Sequence, residues 1–143
     1  MRLATIVCLL AAGAPANESD PATIVDSGST NRAGFRIAVD RAGVAEITAT
    51  RKRPGANEAQ PGPIRKMLPQ ALADAFYADL KAARPLASLP AIHCAKSASF
   101  GSALTVGFDR EETPDLSCGD GGNRAMRDLI RDTRQIAALM QAD

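Results

Sequence analysis

Apolar and polar residues alternate on both sides of Gly43, a pattern typical of two paired β-strands. A loop over residues 41–43, with Gly43 in the left-handed conformation, places Val39 opposite Ala45. In this register all the alternating apolar side chains share one face of a sheet. They are Phe35, Ile37, Val39, Ala45, Ile47 and Ala49.

A second alternating stretch predicts another hairpin. Ala98 and Phe100 alternate with serines, and apolar residues return at every second position from Leu104 to Phe108. A loop over residues 101–103 places Phe100 opposite Leu104 and keeps both on the core face. We therefore expect Phe100 to be a core residue.

Shorter stretches complete the expected sheet. A strand-like segment begins at Thr23, and Leu116 and Cys118 could add a short strand. Prolines and glycines are closely spaced over residues 51–63, which predicts a loop between the first hairpin and the first helix.

Apolar residues at helical spacing predict two helices. The first opens at Pro69 and ends before Pro85, and the second runs from about Asn123 to Gln141. The first apolar stripe comprises Leu68, Leu72, Phe76, Leu80 and Ala83, and the second comprises Met126, Leu129, Ile130, Thr133, Ala137 and Met140.

This order of elements predicts an α+β fold. We expect a single-domain two-layer sandwich, in which a mainly antiparallel sheet of two hairpins plus an edge strand carries both helices on one face. A chain of 143 residues fits one such domain. The expected organisation is a signal peptide over 1–16, a loose leader over 17–22 and the α+β domain over 23–143.

The N-terminal residues are typical of a secretory signal peptide. Arg2 provides a positive start, Leu3–Ala12 is an uncharged apolar run, and Ala14-Pro15-Ala16 has the small residues expected before a cleavage site. The apolar run is too short for a transmembrane anchor. We expect cleavage after about Ala16 and a periplasmic or secreted protein without a transmembrane anchor.

Export changes the expected state of the cysteines. Cys8 leaves with the signal peptide, and Cys94 and Cys118 remain in an oxidising compartment, where we expect them to form a disulfide. Closing that loop is worth about 3.5 kcal/mol in the chain-entropy account. Two free buried thiols are the alternative.

Composition excludes some partners. The formal net charge is +1 and aromatic residues make up 3% of the chain, so a positive field for phosphate and a base-stacking platform are both missing. We expect no nucleic-acid partner, no cofactor and a monomeric protein.

The densest polar cluster lies over residues 93–101. In the predicted register Ser97 and Ser99 point away from the core, with Thr105 beside them. Together with Lys96 and Asp115, these three residues are the candidate binding residues.

The same cluster leaves a catalytic alternative open. Ser97 or Ser99 could be a nucleophile with His93 as base and Asp115 orienting it. However, the chain has no nucleophile elbow. A Ser-Lys hydrolase has its lysine three positions after the serine, whereas Lys96 comes before Ser97. A zinc site at His93, Cys94 and Cys118 would lack a fourth ligand, so no metal is expected. The sequence therefore favours a protein that is not an enzyme.

Three segments of the chain resemble small exported bacterial proteins of uncharacterised function. They are the segment from His93 to Gly101, the following Leu-Thr-Val strand and the segment from Thr113 to Cys118. The resemblance covers about residues 33–140 and implies an exported single domain, with no activity attached to it. At Thr113 this chain departs from the serine of that pattern.

We therefore expect an exported, disulfide-held binding module. Its partner would be a protein or an envelope component, and an inhibitor of a secreted hydrolase is one specific form. The alternative is a small serine hydrolase that uses Ser97 or Ser99 with His93.

Overall fold

A computed structural model describes residues 20–50, 61–119 and 122–142. It contains one six-stranded sheet with the strand order β4-β3-β2-β1-β5-β6, and every neighbouring pair is antiparallel. The strands are β1 (Ala22–Asp26), β2 (Phe35–Val39), β3 (Val44–Ala49), β4 (Ile64–Met67), β5 (Leu104–Phe108) and β6 (Glu111–Glu112). Two helices, α1 (Gln70–Ala83) and α2 (Arg124–Gln141), complete the predicted α+β fold.

The β2–β3 hairpin has the predicted register. Val39 pairs with Ala45, and Gly43 in the connecting turn has a φ of 84°. The predicted face points to the helices, although Ile47 is only half-buried and Ala49 is exposed at the end of β3. Alternation therefore assigned the faces of both strands correctly.

β1 lies in the middle of the sheet between β2 and β5. It begins at Ala22, one residue before the expected boundary, and Ile24 pairs with Ile37 on one side and Val106 on the other. Ala22 and Ile24 of β1 are fully buried and belong to the core, whereas Thr23 and Val25 on the other face are only partly buried.

The predicted second hairpin is wrong. Residues 98–100 form a turn rather than a strand, and Phe100 is 72% exposed. β5 instead forms a hairpin with β6, across Asp109 and Arg110 with φ angles of 51° and 64°. These two left-handed residues are what a tight two-residue hairpin turn requires. Alternation could not reveal that β5 prefers β1 to residues 98–100.

Two smaller expectations also differ from the structure. Leu116 and Cys118 form no strand, although the Leu116 amide donates a hydrogen bond to the Leu104 carbonyl at 2.7 Å. The edge strand β4 was not predicted, because half of it is apolar but exposed, with Ile64 at 51% and Met67 at 69%. Residues 51–60 of the predicted loop lie outside the described residues.

Both helices bury the stripes that the sequence predicts. All the residues named for the two stripes are buried, and Ile136 and Asp132 of α2 are buried with them.

Both ends of α2 are stabilised by side chains. Asn123 caps α2 and accepts a hydrogen bond from the Met126 amide at 2.9 Å. At the other end of α2, Lys66 Nζ donates to the carbonyls of Leu139 and Ala142. Within the described ranges, neither helix is long and apolar enough to cross a membrane.

Candidate binding site

Residues 91–103, here called the 91–103 loop, lead into β5 without forming a helix or a strand. A disulfide joins Cys94 of this loop to Cys118, 24 positions further on, with the two Cα atoms 5.4 Å apart. The predicted cysteine pairing is confirmed. The disulfide holds the start of the loop against the segment over residues 113–118.

An ion pair reinforces this attachment. Lys96 Nζ contacts the Asp115 carboxylate and donates a hydrogen bond to the Ser102 carbonyl at 2.7 Å. Asp115 Oδ1 also accepts hydrogen bonds from the amides of Leu104 and Ser117, at 3.0 and 2.9 Å. Partial burial opposes ionisation of Asp115, but the hydrogen bonds from Lys96, Leu104 and Ser117 outweigh it and lower its pKa to about 2. Asp115 is therefore a fixed anion that organises the base of the loop.

The far end of the loop is bound to the last residue of β1. Asp26 is buried, and both of its carboxylate oxygens contact Arg32 Nη2, at 2.9 and 2.8 Å. Ser102 Oγ donates to Asp26 Oδ2 at 3.2 Å, and Arg32 Nη2 also donates to Ser102 Oγ at 2.8 Å. The 91–103 loop is thus attached near both ends to parts of the chain far away in sequence.

A tight turn forms the tip of the loop. The Gly101 amide donates to the Ser97 carbonyl at 2.6 Å, and Ser97 Oγ accepts from the Ser99 amide at 3.2 Å. A Cβ on Gly101 would lie 2.6 Å from the Ser97 carbonyl oxygen, so only glycine fits the turn without a shift. The result is that Phe100, between Ser99 and Gly101, faces solvent.

The turn also rests on a second loop. Thr30 Oγ1 donates to the Ala98 carbonyl at 3.1 Å, and the Asn31 amide donates to the Ser99 carbonyl at 3.3 Å. Backbone carbonyls of the tip are therefore already occupied, which restricts the conformations that the tip can adopt. We call the tip, residues 97–101, and its supporting residues Thr30 and Asn31 the tip surface.

Several predicted site residues meet in one cavity of about 350 Å³. The residues that line it are Ala91, Ile92, His93, Cys94, Lys96, Asp115 and Cys118. His93, Lys96 and Asp115 are therefore brought together beside the disulfide. The described residues contain no group of three or more His, Cys, Asp or Glu side chains that could hold a metal ion.

The predicted polar strip of Ser97, Ser99 and Thr105 does not form. Thr105 pairs with Val25 inside the sheet and lies on the face opposite to the buried Leu104 and Val106, whereas the two serines are in the turn. The strip depended on residues 97–100 being a strand, so it disappears with that strand.

The arrangement does not assemble a hydrogen-bonded Ser-His-Asp set. Among the described residues, no hydrogen bond joins His93 to Ser97, Ser99 or Asp115, and neither serine lines the cavity that contains His93. Asp115 is already bound by Lys96 and two backbone amides, so its carboxylate orients the loop rather than an imidazole.

Sequence reasoning missed the residues that hold the loop at its far end. Asp26, Arg32, Thr30 and Asn31 come from a segment that sequence alone gives no reason to place beside residue 100. The period-two spacing of Phe100 predicts a core position, which is wrong. Ser97, Ser99 and Gly101 around it are residue types that favour turns, so they are a weak signal for the turn that the structure shows.

These features define an α+β domain with a disulfide-anchored loop whose tip is a tight turn. In comparisons with protein families, with curated proteins and with solved structures, the chain matches none of them.

Proposed function

We propose that this protein is an exported binding module that presents the tip surface to a protein partner. The observation that carries the proposal is Phe100, a large apolar side chain that is 72% exposed at the tip of a loop fixed at both ends. Phenylalanine, like tyrosine and tryptophan, is enriched in protein–protein interfaces relative to the rest of a protein surface.

The way the loop is held supports binding rather than chain connection alone. The disulfide, the Lys96–Asp115 pair and the Asp26–Arg32–Ser102 cluster all restrict the loop before any partner arrives. A segment that is already ordered loses less conformational entropy on docking, so more of the contact energy contributes to affinity. A secreted hydrolase, which the protein would inhibit, is one partner that fits such a loop, and an envelope protein is another.

The residues named from the sequence take different roles in this proposal. Lys96 and Asp115 face each other and hold the base of the loop, so their contribution to binding is positional. Ser97 and Ser99 belong to the tip surface, and Thr105 lies away from it on the open face of the sheet.

Export is part of the proposal. The support is the apolar segment Leu3–Ala12 followed by Ala14-Pro15-Ala16, the resemblance to small exported bacterial proteins, and a disulfide of a kind that persists in oxidising compartments. The segment over residues 1–19 lies outside the described residues. Intact mass of protein recovered from an exporting host tests this part: we expect loss of residues 1–16 and no alkylation without reductant. An uncut chain with alkylated Cys94 and Cys118 would contradict export.

The binding proposal is tested by site-specific photo-crosslinking in the exporting host. A photoreactive phenylalanine analogue replaces Phe100 in one variant and Met67, which is 69% exposed on the edge strand β4, in a matched control. We expect one discrete adduct from position 100, none from position 67, and loss of the adduct when Cys94→Ser and Cys118→Ser release the loop. Equal adducts at both positions, or none at position 100, would contradict the proposal.

A small serine hydrolase is the second candidate, and the cavity that His93 and Asp115 share is the observation in its favour. The two candidates differ at His93. If the protein is a hydrolase, His93→Ala abolishes turnover of ester substrates, whereas a binding module keeps its crosslinked adduct in the same variant.

A further inference from the structure

Asp132 is a carboxylate buried inside the contact between α1 and α2. Its residue is 2% exposed, and its Oδ1 accepts a hydrogen bond from Arg131 Nε at 2.8 Å. Its other oxygen, Oδ2, is fully buried and has no hydrogen-bond donor among the described residues. An unpaired anionic oxygen in such a place is strongly unfavourable, because burial removes water without supplying a replacement donor.

A second carboxyl group reaches the same place from the other helix. Asp79 of α1 and Asp132 of α2 contact the same guanidinium group, that of Arg131, at 3.4 and 2.8 Å, and the two carboxyl groups interact with each other. As two ionised carboxylates, neither would have a hydrogen to donate to the other. One added proton changes this, because a protonated Asp79 can donate its O–H to Asp132 while Arg131 stays on Oδ1.

The local charges favour uptake of that proton. The charged groups that act on Asp79 are Asp132, Asp128 and Arg131, all on α2. Arg131 contacts all three carboxylates, at 3.4 Å for Asp79, 2.9 Å for Asp128 and 2.8 Å for Asp132, but its side chain is 60% exposed and its charge is partly screened by water. Ile37 and Ala45 of the sheet belong to the same apolar core cluster as Leu129 and Ile130 of α2.

Burial, the contact with Asp132 and repulsion by Asp132 and Asp128 together raise the pKa of Asp79 to about 6, with Arg131 opposing them. This direction agrees with the unpaired oxygen, which is an independent geometric observation. A proton taken from solvent at mildly acidic pH would therefore bind at this helix contact.

We propose that Asp79 and Asp132 share one proton across the α1–α2 contact, which makes this helix pair an acid-responsive element of the fold. The native state then holds a proton that the unfolded chain, with its ordinary carboxyl groups, has already released. The free energy of unfolding therefore falls as the pH rises from the ordinary carboxyl pKa of 3.8 through the raised pKa of about 6. Salt-bridged carboxylates produce the opposite dependence.

The test compares the pH dependence of unfolding in three proteins that all carry His93→Gln, since this removes the single imidazole of the chain. They are the parent, Asp79→Asn, whose amide imitates a protonated carboxyl, and the control Asp74→Asn. Asp74 lies on the exposed side of the same helix and accepts a hydrogen bond from Gln70 at 2.8 Å.

From about pH 5 to about pH 8 we expect the unfolding equilibrium constant of the parent and of Asp74→Asn to rise about tenfold. That of Asp79→Asn should stay within about twofold over the same range. Equal pH dependence in all three proteins would overturn the proposal.

A direct titration covers the case in which Asp79→Asn does not fold. The carboxyl carbon shifts of labelled parent protein should include a macroscopic step with a midpoint at about pH 6, belonging to the pair rather than to one residue. If the spectra contain no carboxyl step near pH 6 and Asp79 titrates near its ordinary value of 3.8, no proton is shared and the proposal is wrong.

Discussion

Ser102 donates a hydrogen bond to Asp26 Oδ2 at 3.2 Å, although the two residues are 76 positions apart. This bond connects the end of the 91–103 loop to the last residue of the central strand β1. The tip that presents Phe100 is therefore coupled to the most buried part of the sheet through one small polar cluster.

Removing the central carboxylate of this cluster should loosen both loops. Asp26→Ala leaves Arg32 without its bidentate partner and the Gly28 amide without the acceptor that now lies at 2.7 Å. We expect the free energy of unfolding to fall by about 2 kcal/mol, measured by urea unfolding. Hydrogen exchange at the amides of Asn31 and Gly101 should accelerate, and Asp40→Ala, a change at the β2–β3 turn, should leave that exchange unchanged.

Loss of the disulfide should destabilise the domain and free the start of the loop. Cys94→Ser combined with Cys118→Ser is expected to lower the free energy of unfolding by about 3.5 kcal/mol, because the unfolded chain regains the entropy of the open loop. Reductant should lower the free energy of unfolding of the natural protein by a similar amount and leave that of the double variant unchanged. A double variant as stable as the natural protein would contradict the structural role of this bond.

The Lys96–Asp115 pair should stabilise the domain at neutral pH and lose this effect in strong acid. The pKa of Asp115 is lowered from 3.8 to about 2, so its contribution is present above about pH 4 and is lost as the pH falls toward 2. Both side chains are partly exposed, so we expect the contribution to be about 1–2 kcal/mol after solvent screening. Lys96→Met should reduce this acid dependence. Unfolding midpoints measured between about pH 2 and about pH 5 would show the reduction. Lys81→Met, on the exposed side of α1, is the control.

Tyr77 should be sensitive to loss of its hydroxyl group alone. Its Oη donates to the Val39 carbonyl at 2.6 Å and accepts from the Ala22 amide at 3.3 Å, so it closes the end of the β1–β2 pair from α1. Tyr77→Phe keeps the ring packed against Phe76 and Phe108 but leaves two buried backbone groups unpaired. We expect the free energy of unfolding to fall by about 1–2 kcal/mol, measured by thermal unfolding.

The phenol of Tyr77 should also ionise at a higher pH than usual. Burial raises the pKa of Tyr77, so its ionisation in the folded protein should occur above the usual pH, which ultraviolet absorbance would detect.

The amino-acid sequence by itself determined the features that depend on local spacing. The β2–β3 register follows from period-two alternation around Gly43, and both helices follow from apolar stripes with Pro69 and Asn123 near their starts. The Cys94–Cys118 bond followed from elimination, since only two cysteines lie beyond the predicted signal peptide.

Only the tertiary structure decided which distant segments meet. Alternation specifies the faces of a strand but not its partner, so it could not show that β5 pairs with β1 while Phe100 turns out to solvent. The same limit applies to the candidate site and the helix contact. Ser102 meets Asp26, and Asp79 and Asp132 meet at Arg131, because packing of whole elements brings them together, and no local pattern in the chain encodes those contacts.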